Sequence, residues 1–133
     1  MKYGVCQNCG ATGIIEKHHI FFRSKAKALV DCKLNLIDLC HECHRGTNGV
    51  HGPHGHKLDI KLKRQAQDKL IKALQENEIN DNETTFEGIA RILGITEREV
   101  KATCKNVERV DPKYDAYAVE DVVRALQGGK LYE

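Results

Sequence analysis

The chain of 133 residues contains no Trp, one Met and two Pro, and aromatic residues make up only 5% of it. Aliphatic side chains must therefore carry the apolar pattern. No apolar run approaches the roughly 20 residues that a membrane-spanning helix needs, so a membrane protein of that kind is not expected. The opening MKYGVCQNCG lacks the apolar core of a secretory signal, and a cytoplasmic protein is expected. There is no internal repeat and no low-complexity tract. In a reducing compartment, paired cysteines bind metal more often than they form disulfides.

The net charge of +2 conceals an asymmetry. Residues 1–77 carry 13 Lys/Arg against 7 Asp/Glu, a balance of +6, and residues 78–133 carry 8 against 12, a balance of −4. All seven His and five of the six Cys precede residue 57. Positive charge and metal-ligating chemistry thus share one half. That combination points to a polyanionic partner, most simply nucleic acid.

Two Cys pairs, Cys6-x-x-Cys9 and Cys40-x-x-Cys43, bracket His18-His19. Four thiolates at this spacing suit a closed tetrahedral Zn²⁺ site. A core of about 40 residues rarely folds unaided, and structural zinc supplies roughly 10–16 kcal/mol in small fingers. Reduced, metal-free cysteines in a small core are the competing reading. The two cysteines outside the pairs, Cys32 and Cys104, read as buried or idle thiols. His18, His19, Asn35 and His44 remain, and they suit a second, open metal site with phosphate chemistry. No carboxylate pair stands near the His cluster.

Gly13–Ile20 reads as a strand ending at the His pair, and Asn35–Leu39 as a second strand. Residues 21–34 read as a basic loop between them. Cys40 to about Thr47 reads as a turn into a short helix limited by Gly46 and Gly49. Leu58, Leu62, Ala66, Leu70 and Leu74 recur every four residues, with Ile71 beside them, and predict a helix over 57–76. Residues 77–83 are polar and read as a linker. Thr84-x-x-Glu87 and Thr96-x-x-Glu99 each read as a capping box before a helix. The spacing of Ala90, Gly94 and Val100 suits a helix-turn-helix. Val107–Ala118 suits a hairpin or wing, and Val119–Gln127 a last helix closed by Gly128-Gly129.

Residues 6–51 resemble the HNH endonuclease family. The motifs that carry the resemblance are Cys6-x-x-Cys9, His18-His19-Ile20, Asn35-Leu36-Ile37-x-Leu39-Cys40-x-x-Cys43-His44 and Gly49-Val50-His51. They cover about a third of the chain. Phe21-Phe22-Arg23-Ser24-Lys25-Ala26 stands where the family has a Gly-rich stretch. A weaker likeness links residues 84–127 to a MerR or excisionase type of winged helix. Together these imply an α+β fold: a zinc-stapled ββα-metal finger with a trailing helix over 1–76, a linker at 77–83, and a mostly helical winged-helix-like unit over 84–133.

The resemblance implies a metal-dependent DNA endonuclease. His19 would be the general base, and His18 and His44 the ligands of a divalent ion such as Mg²⁺ or Mn²⁺. Asn35 either holds the loop that aims His19 or approaches the metal, and orientation is favoured. On a helix, neighbouring side chains diverge by about 100°, so Cys43 can face zinc while His44 faces a cleft. His51 is open between a further metal ligand and a phosphate contact. Arg23, Lys25, Lys27 and Arg45 are candidate phosphate contacts. His41, His54 and His56 read as solvated. Hydrolysis would leave a 5′ phosphate. Compact HNH proteins are frequent in phages and mobile elements, and the resemblance implies such an origin. The rival readings are a non-catalytic zinc-dependent nucleic-acid-binding module and a regulator built on residues 84–133. The acidic balance of that unit suits a protein partner as well as DNA.

Overall fold

The computed structural model describes residues 2–76, 83–111, 113 and 116–133. Strands β1 (Lys2–Val5), β2 (Thr12–His19) and β3 (Leu36–Cys40) form an antiparallel sheet in that order. In β2 the buried positions Ile15 and His18 break strict alternation, because the strand is covered on one face near its start and on the other near its end. The register sets Ile15 against Cys40, His18 against Ile37 and His19 against Leu36. Between β2 and β3, two short 3-10 turns at Lys27–Leu29 and Lys33–Asn35 organise the basic loop. Leu29 and Cys32 point from that loop into the core.

Helix α1 (His41–Arg45) follows β3 directly and completes a ββα element. Helix α2 (His56–Glu76) then runs for 21 residues. Its expected stripe is the one that is buried: Leu62, Ala66, Leu70 and Leu74 are all at most 2% exposed, with Leu58 and Ile71 packed beside them. The expected linker falls on residues 77–82, which lie outside the described residues, and on Glu83, which opens strand β4 (Glu83–Thr84).

Helices α3 (Phe86–Leu93) and α4 (Glu97–Thr103) are joined at Gly94, whose φ of +70° gives α3 a left-handed C-cap. At Thr96 the expected N-cap forms: the hydroxyl accepts from the Glu99 N–H at 3.2 Å, and the Glu99 carboxylate meets that hydroxyl at 3.3 Å. The first cap is displaced by one residue. Thr85, not Thr84, accepts from the Gly88 N–H at 3.1 Å. Thr84 is fully buried in β4, where it pairs with Tyr117 of β5 (Tyr117–Ala118). A local capping pattern cannot register that long-range pairing.

In the expected wing, Val110 N–H donates to Ala116 O and Arg109 bridges Tyr117, while Pro112, Tyr114 and Asp115 lie outside the described residues. The Tyr117 ring stacks on Phe86 at 4.2 Å. Helix α5 (Val119–Leu126) closes the chain's helical part and buries Val119, Val122, Val123 and Leu126.

One hydrophobic cluster runs through all of these elements, from Cys6 and Leu39 across the α2 stripe to Val100 and Leu126. Helix α2 touches both α3 and α5, and α4 and α5 reach the turn at Lys27–Leu29. No helix among the described residues is long and apolar enough to cross a membrane. Leu70, fully buried at the middle of α2, tests the continuity of this core. Leu70→Ala should destabilise the chain by about 2–5 kcal/mol, the usual cost of such a cavity. In urea this should appear as a lower midpoint of one cooperative transition, with an unchanged slope.

Candidate functional site

Two knuckles of the same geometry meet at the end of the sheet. At the first, the Cys9 N–H donates to Cys6 Sγ at 3.5 Å, and the Gly10 N–H donates to the Cys6 carbonyl at 2.9 Å. Gly10 lies at φ +81°, a conformation open to glycine at little cost. At the second, Cys40 caps α1 and its Sγ accepts from the Cys43 N–H at 3.4 Å. The register of β2 against β3 carries Cys40 to Ile15, beside the first knuckle. All four sulfurs lie within 4.8 Å of one another, with Cys9 and Cys40 Sγ 3.7 Å apart. A tetrahedral site with Zn–S bonds of about 2.3 Å has an edge of about 3.8 Å.

The thiols respond to this crowding. Burial works to raise Cys6, but the backbone N–H groups of Cys9, Cys40 and Asn8 outweigh it and bring the thiol down to about 6. The Asn8 amide, which donates to Cys43 Sγ at 3.3 Å, works to lower Cys43, yet burial and the three neighbouring thiols push it up to about 12. Four thiolates this close repel one another, and a divalent cation relieves the repulsion. The cluster fits a structural metal such as zinc. Cys32 and Cys104 stand apart from it as buried free thiols, both raised by burial, Cys104 to about 11.

A second cluster forms at the other end of β2. His18, His44 and His51 bring ligand nitrogens within 4.8 Å of one another. His18 is 3% exposed, and its Nε2 is buried without a hydrogen-bond partner among the described residues. An orphaned ring nitrogen facing two further imidazoles fits a metal ligand. Burial first, then His44, His51, His19 and Lys63, lower the His18 pKa to about 3, so its lone pair is free at neutral pH. His51 is also lowered, by burial first and then by His44 and Arg45.

His44 Nδ1 lies 2.8 Å from Glu16 Oε1. Its hydrogen bond to His44 is the first cause that keeps the Glu16 carboxyl below its ordinary value. A carboxylate accepts only, so His44 carries its proton on Nδ1 and presents Nε2 to the cluster. This carboxylate–histidine arrangement is the usual support of a metal-bound imidazole.

The loop after α1 returns His51 to His44 by a glycine ladder. Gly46, Gly49, Gly52 and Gly55 recur every third residue, and each N–H of the last three donates to the carbonyl of the glycine before it. The Val50 and His51 N–H groups bond the carbonyls of Cys43 and His44 at 2.9 and 3.0 Å, which satisfies the end of α1. A Cβ on Gly46 or Gly49 would meet the Glu42 carbonyl oxygen at 2.5 Å. On Gly52 and Gly55 it would collide with the carbonyls of Gly46 and Gly49.

His19 ends β2 and shares a cavity of about 270 Å³ with His18, His44, His51, Phe22, Lys17, Arg23 and Arg45. Its Nε2 lies 3.1 Å from the Val30 carbonyl oxygen. A carbonyl cannot donate, so Nε2 carries the proton and Nδ1 keeps its lone pair. Asn35 is fully buried and makes three hydrogen bonds. Its Oδ1 accepts from the Phe21 N–H at 2.6 Å, and its Nδ2 donates to the carbonyls of Phe21 and Leu29, both at 3.1 Å. It therefore clamps both sides of the loop that carries Val30.

Arg23 and Arg45 line the cavity, and Arg45 also pairs with Glu16 at 3.6 Å. Lys25 and Lys27 are exposed on the loop and do not line it. His41 is exposed, 4.0 Å from Glu16, and His54 and His56 are exposed as expected. The sequence reading missed Glu16 and Lys17. Glu16 stands two positions before His18 on a strand, so a shared face was available as a signal. No protein-family model, no characterised protein and no solved structure matches this chain.

Cys40→Ser should abolish zinc binding and lower the melting temperature of the whole chain, because the knuckles share one core with the helices and metal-binding energy at such a site is folding energy. Native mass spectrometry and the melting temperature check it: unchanged zinc and an unchanged transition would refute the site. His18 gives a pH test. Its folded pKa near 3 lies below the ordinary 6.5, so between these values the unfolded chain binds a proton that the folded chain refuses. Without added divalent ion, stability should therefore fall as pH drops from about 6.5 towards 3. His18→Gln should lose that part of the pH slope in urea titrations.

Proposed function

We propose that the chain is a metal-dependent endonuclease of the HNH type, acting on DNA. The observation that carries this reading is the juxtaposition of two kinds of histidine in one cavity. Three bring ligand nitrogens within 4.8 Å of one another, and the fourth, His19, is held by a backbone carbonyl through one ring nitrogen. A purely structural metal site has no use for the fourth. A divalent ion held by His18, His44 and His51 would supply a Lewis acid for the scissile phosphate and its leaving oxygen.

His19 Nδ1 takes the proton from the attacking water, a task suited to an imidazole near neutral pH. The Val30 carbonyl fixes the tautomer that makes this possible. Asn35 acts as the orienting residue, since all three of its hydrogen bonds go to backbone of the His19–Leu29 loop. Lys17, Arg23 and Arg45 offer positive charge at the mouth for the phosphate backbone. On this reading the exposed Lys25 and Lys27, which do not line the cavity, meet DNA that flanks the scissile phosphate. Helices α3 and α5 pack on α2, and α4 and α5 on the Lys27–Leu29 turn, so that these helices serve first as a support for the nuclease part.

Supercoiled plasmid should be nicked in the presence of Mg²⁺ or Mn²⁺ and protected by EDTA. His19→Ala should slow nicking by about 10²–10⁴-fold, as for other general bases, while retaining zinc and the melting transition. Nicking by His19→Ala at the wild-type rate would sink the assignment of the base. A wild-type protein inert with every divalent ion tried would sink the enzyme.

A further inference from the structure

Phe22 forms one wall of the histidine cavity. Its ring meets His18 edge-on at 6.4 Å and lies tilted against His51 at 5.9 Å. Lys63 of α2 lies over the same ring, with its Nζ 4.4 Å from the centroid. That ammonium is largely withdrawn from water, its side chain only 11% exposed. Asp59, one helical turn earlier, holds it at 2.9 Å, and the ring of Tyr132 lies 5.6 Å away. A carboxylate and two ring faces replace the water the ammonium has lost.

Tyr132 is itself tightly placed. Its ring contacts buried Phe21 at 5.8 Å and receives Lys130 Nζ at 5.0 Å. Its backbone is gripped from both sides by the Gln67 amide. Gln67 Nε2 donates to the Tyr132 carbonyl at 2.6 Å, and Gln67 Oε1 accepts from the Tyr132 N–H at 2.8 Å. Gln127 Nε2 donates to Gln67 Oε1 and to the Lys130 carbonyl, both at 2.9 Å. Both glutamines are buried, so these bonds form away from water, where a mismatch would be costly. An unbroken line of contacts thus leads from the segment after α5, through Lys63 and Phe22, to two of the three clustered histidines.

We propose that Tyr132 is a positioning residue for the histidine cluster: through Lys63 and Phe22 it fixes the wall that holds His18 and His51, and so sets the affinity of that site for a divalent cation. The inference rests on reading His18, His44 and His51 as metal ligands. Ligand rings that are already held lose less rotamer freedom when an ion binds. Phe22 stands directly behind two of the ligand rings, where a change commonly alters affinity by about 10–100-fold, and Tyr132, two contacts further out, acts at the low end of that range.

The test uses the full chain with its four-cysteine site loaded with zinc. Binding of a second ion, Co²⁺, is followed by calorimetry and by its visible absorption spectrum. Tyr132→Ala should weaken Co²⁺ binding by about tenfold or more and alter the spectrum, with the zinc retained. Tyr132→Phe should restore both, because the ring and backbone make the contacts and no described residue bonds the hydroxyl. Val100→Ala, in the buried face of α4 and outside this line of contacts, should lower the denaturation midpoint and leave Co²⁺ affinity unchanged. Wild-type affinity and spectrum in Tyr132→Ala would overturn the inference. So would an equal loss in Val100→Ala, which would make the effect one of general stability. A wild-type chain that takes up no second ion would instead overturn the histidine reading, and this inference with it.

Discussion

The pairing register of β2 with β3 is the constraint on which both ligand clusters depend. At one end it sets Ile15 against Cys40 and joins the two knuckles. At the other it sets His18 and His19 against Ile37 and Leu36, so that α1, which follows β3 at once, swings His44 over His18. A slip of one residue would turn every side chain of β2 to the opposite face. Glu16 would leave His44, Ile15 would leave the core, and the sulfurs would separate. Four thiols closed around a cation would forbid that slip, and the cysteine cluster would then hold the histidine cluster in register through the strands alone.

The features legible in the sequence were those with a local period or a strong ligand identity. The α2 stripe, the Cys pairs, the His pair, the Thr96 cap and the Gly94 stop are of this sort. What escaped was set by partners distant in the chain. Glu16 is an ordinary strand charge until His44, 28 residues on, arrives beside it. Strands β4 and β5 have two residues each, too short to show alternation, and their pairing moved the α3 cap from Thr84 to Thr85. β1 offered only Lys-Tyr-Gly-Val, with Tyr3 and Val5 exposed, and so carried no burial signal. Asn35 was read as either a clamp or a group near the metal. Its three bonds to backbone favour the clamp, because both ends of the amide are used.

Residues 84–133 were read for a helix-turn-helix, and their helices do pack as a small group around Ile89, Val100 and Val122. Their apolar faces are shared with α2 and with the loop that Asn35 clamps. The same α2 also carries Asp59 and Lys63 to the wall of the histidine cavity. A single long helix thereby has one face committed to the C-terminal helices and one turn near its start committed to the candidate site. This arrangement relates the acidic half of the chain to the basic half by packing rather than by charge.

The glycine ladder from Gly46 to Gly55 gives this surface loop the intolerance of a core. Loops ordinarily absorb changes of length and residue with ease. Here each third position has a carbonyl where a methyl would stand, and the histidine between the second and third rungs inherits its place from that phase. One or two extra residues would put a side chain on a rung and carry His51 away from its neighbours. Three extra residues with glycine in phase would keep the rungs, but placed before Val50 they would still part Val50 and His51 from the Cys43 and His44 carbonyls. Ahead of His51, an insertion of three, six or even nine bases of coding sequence would thus be as disruptive as a substitution in the hydrophobic interior, although each preserves the reading frame.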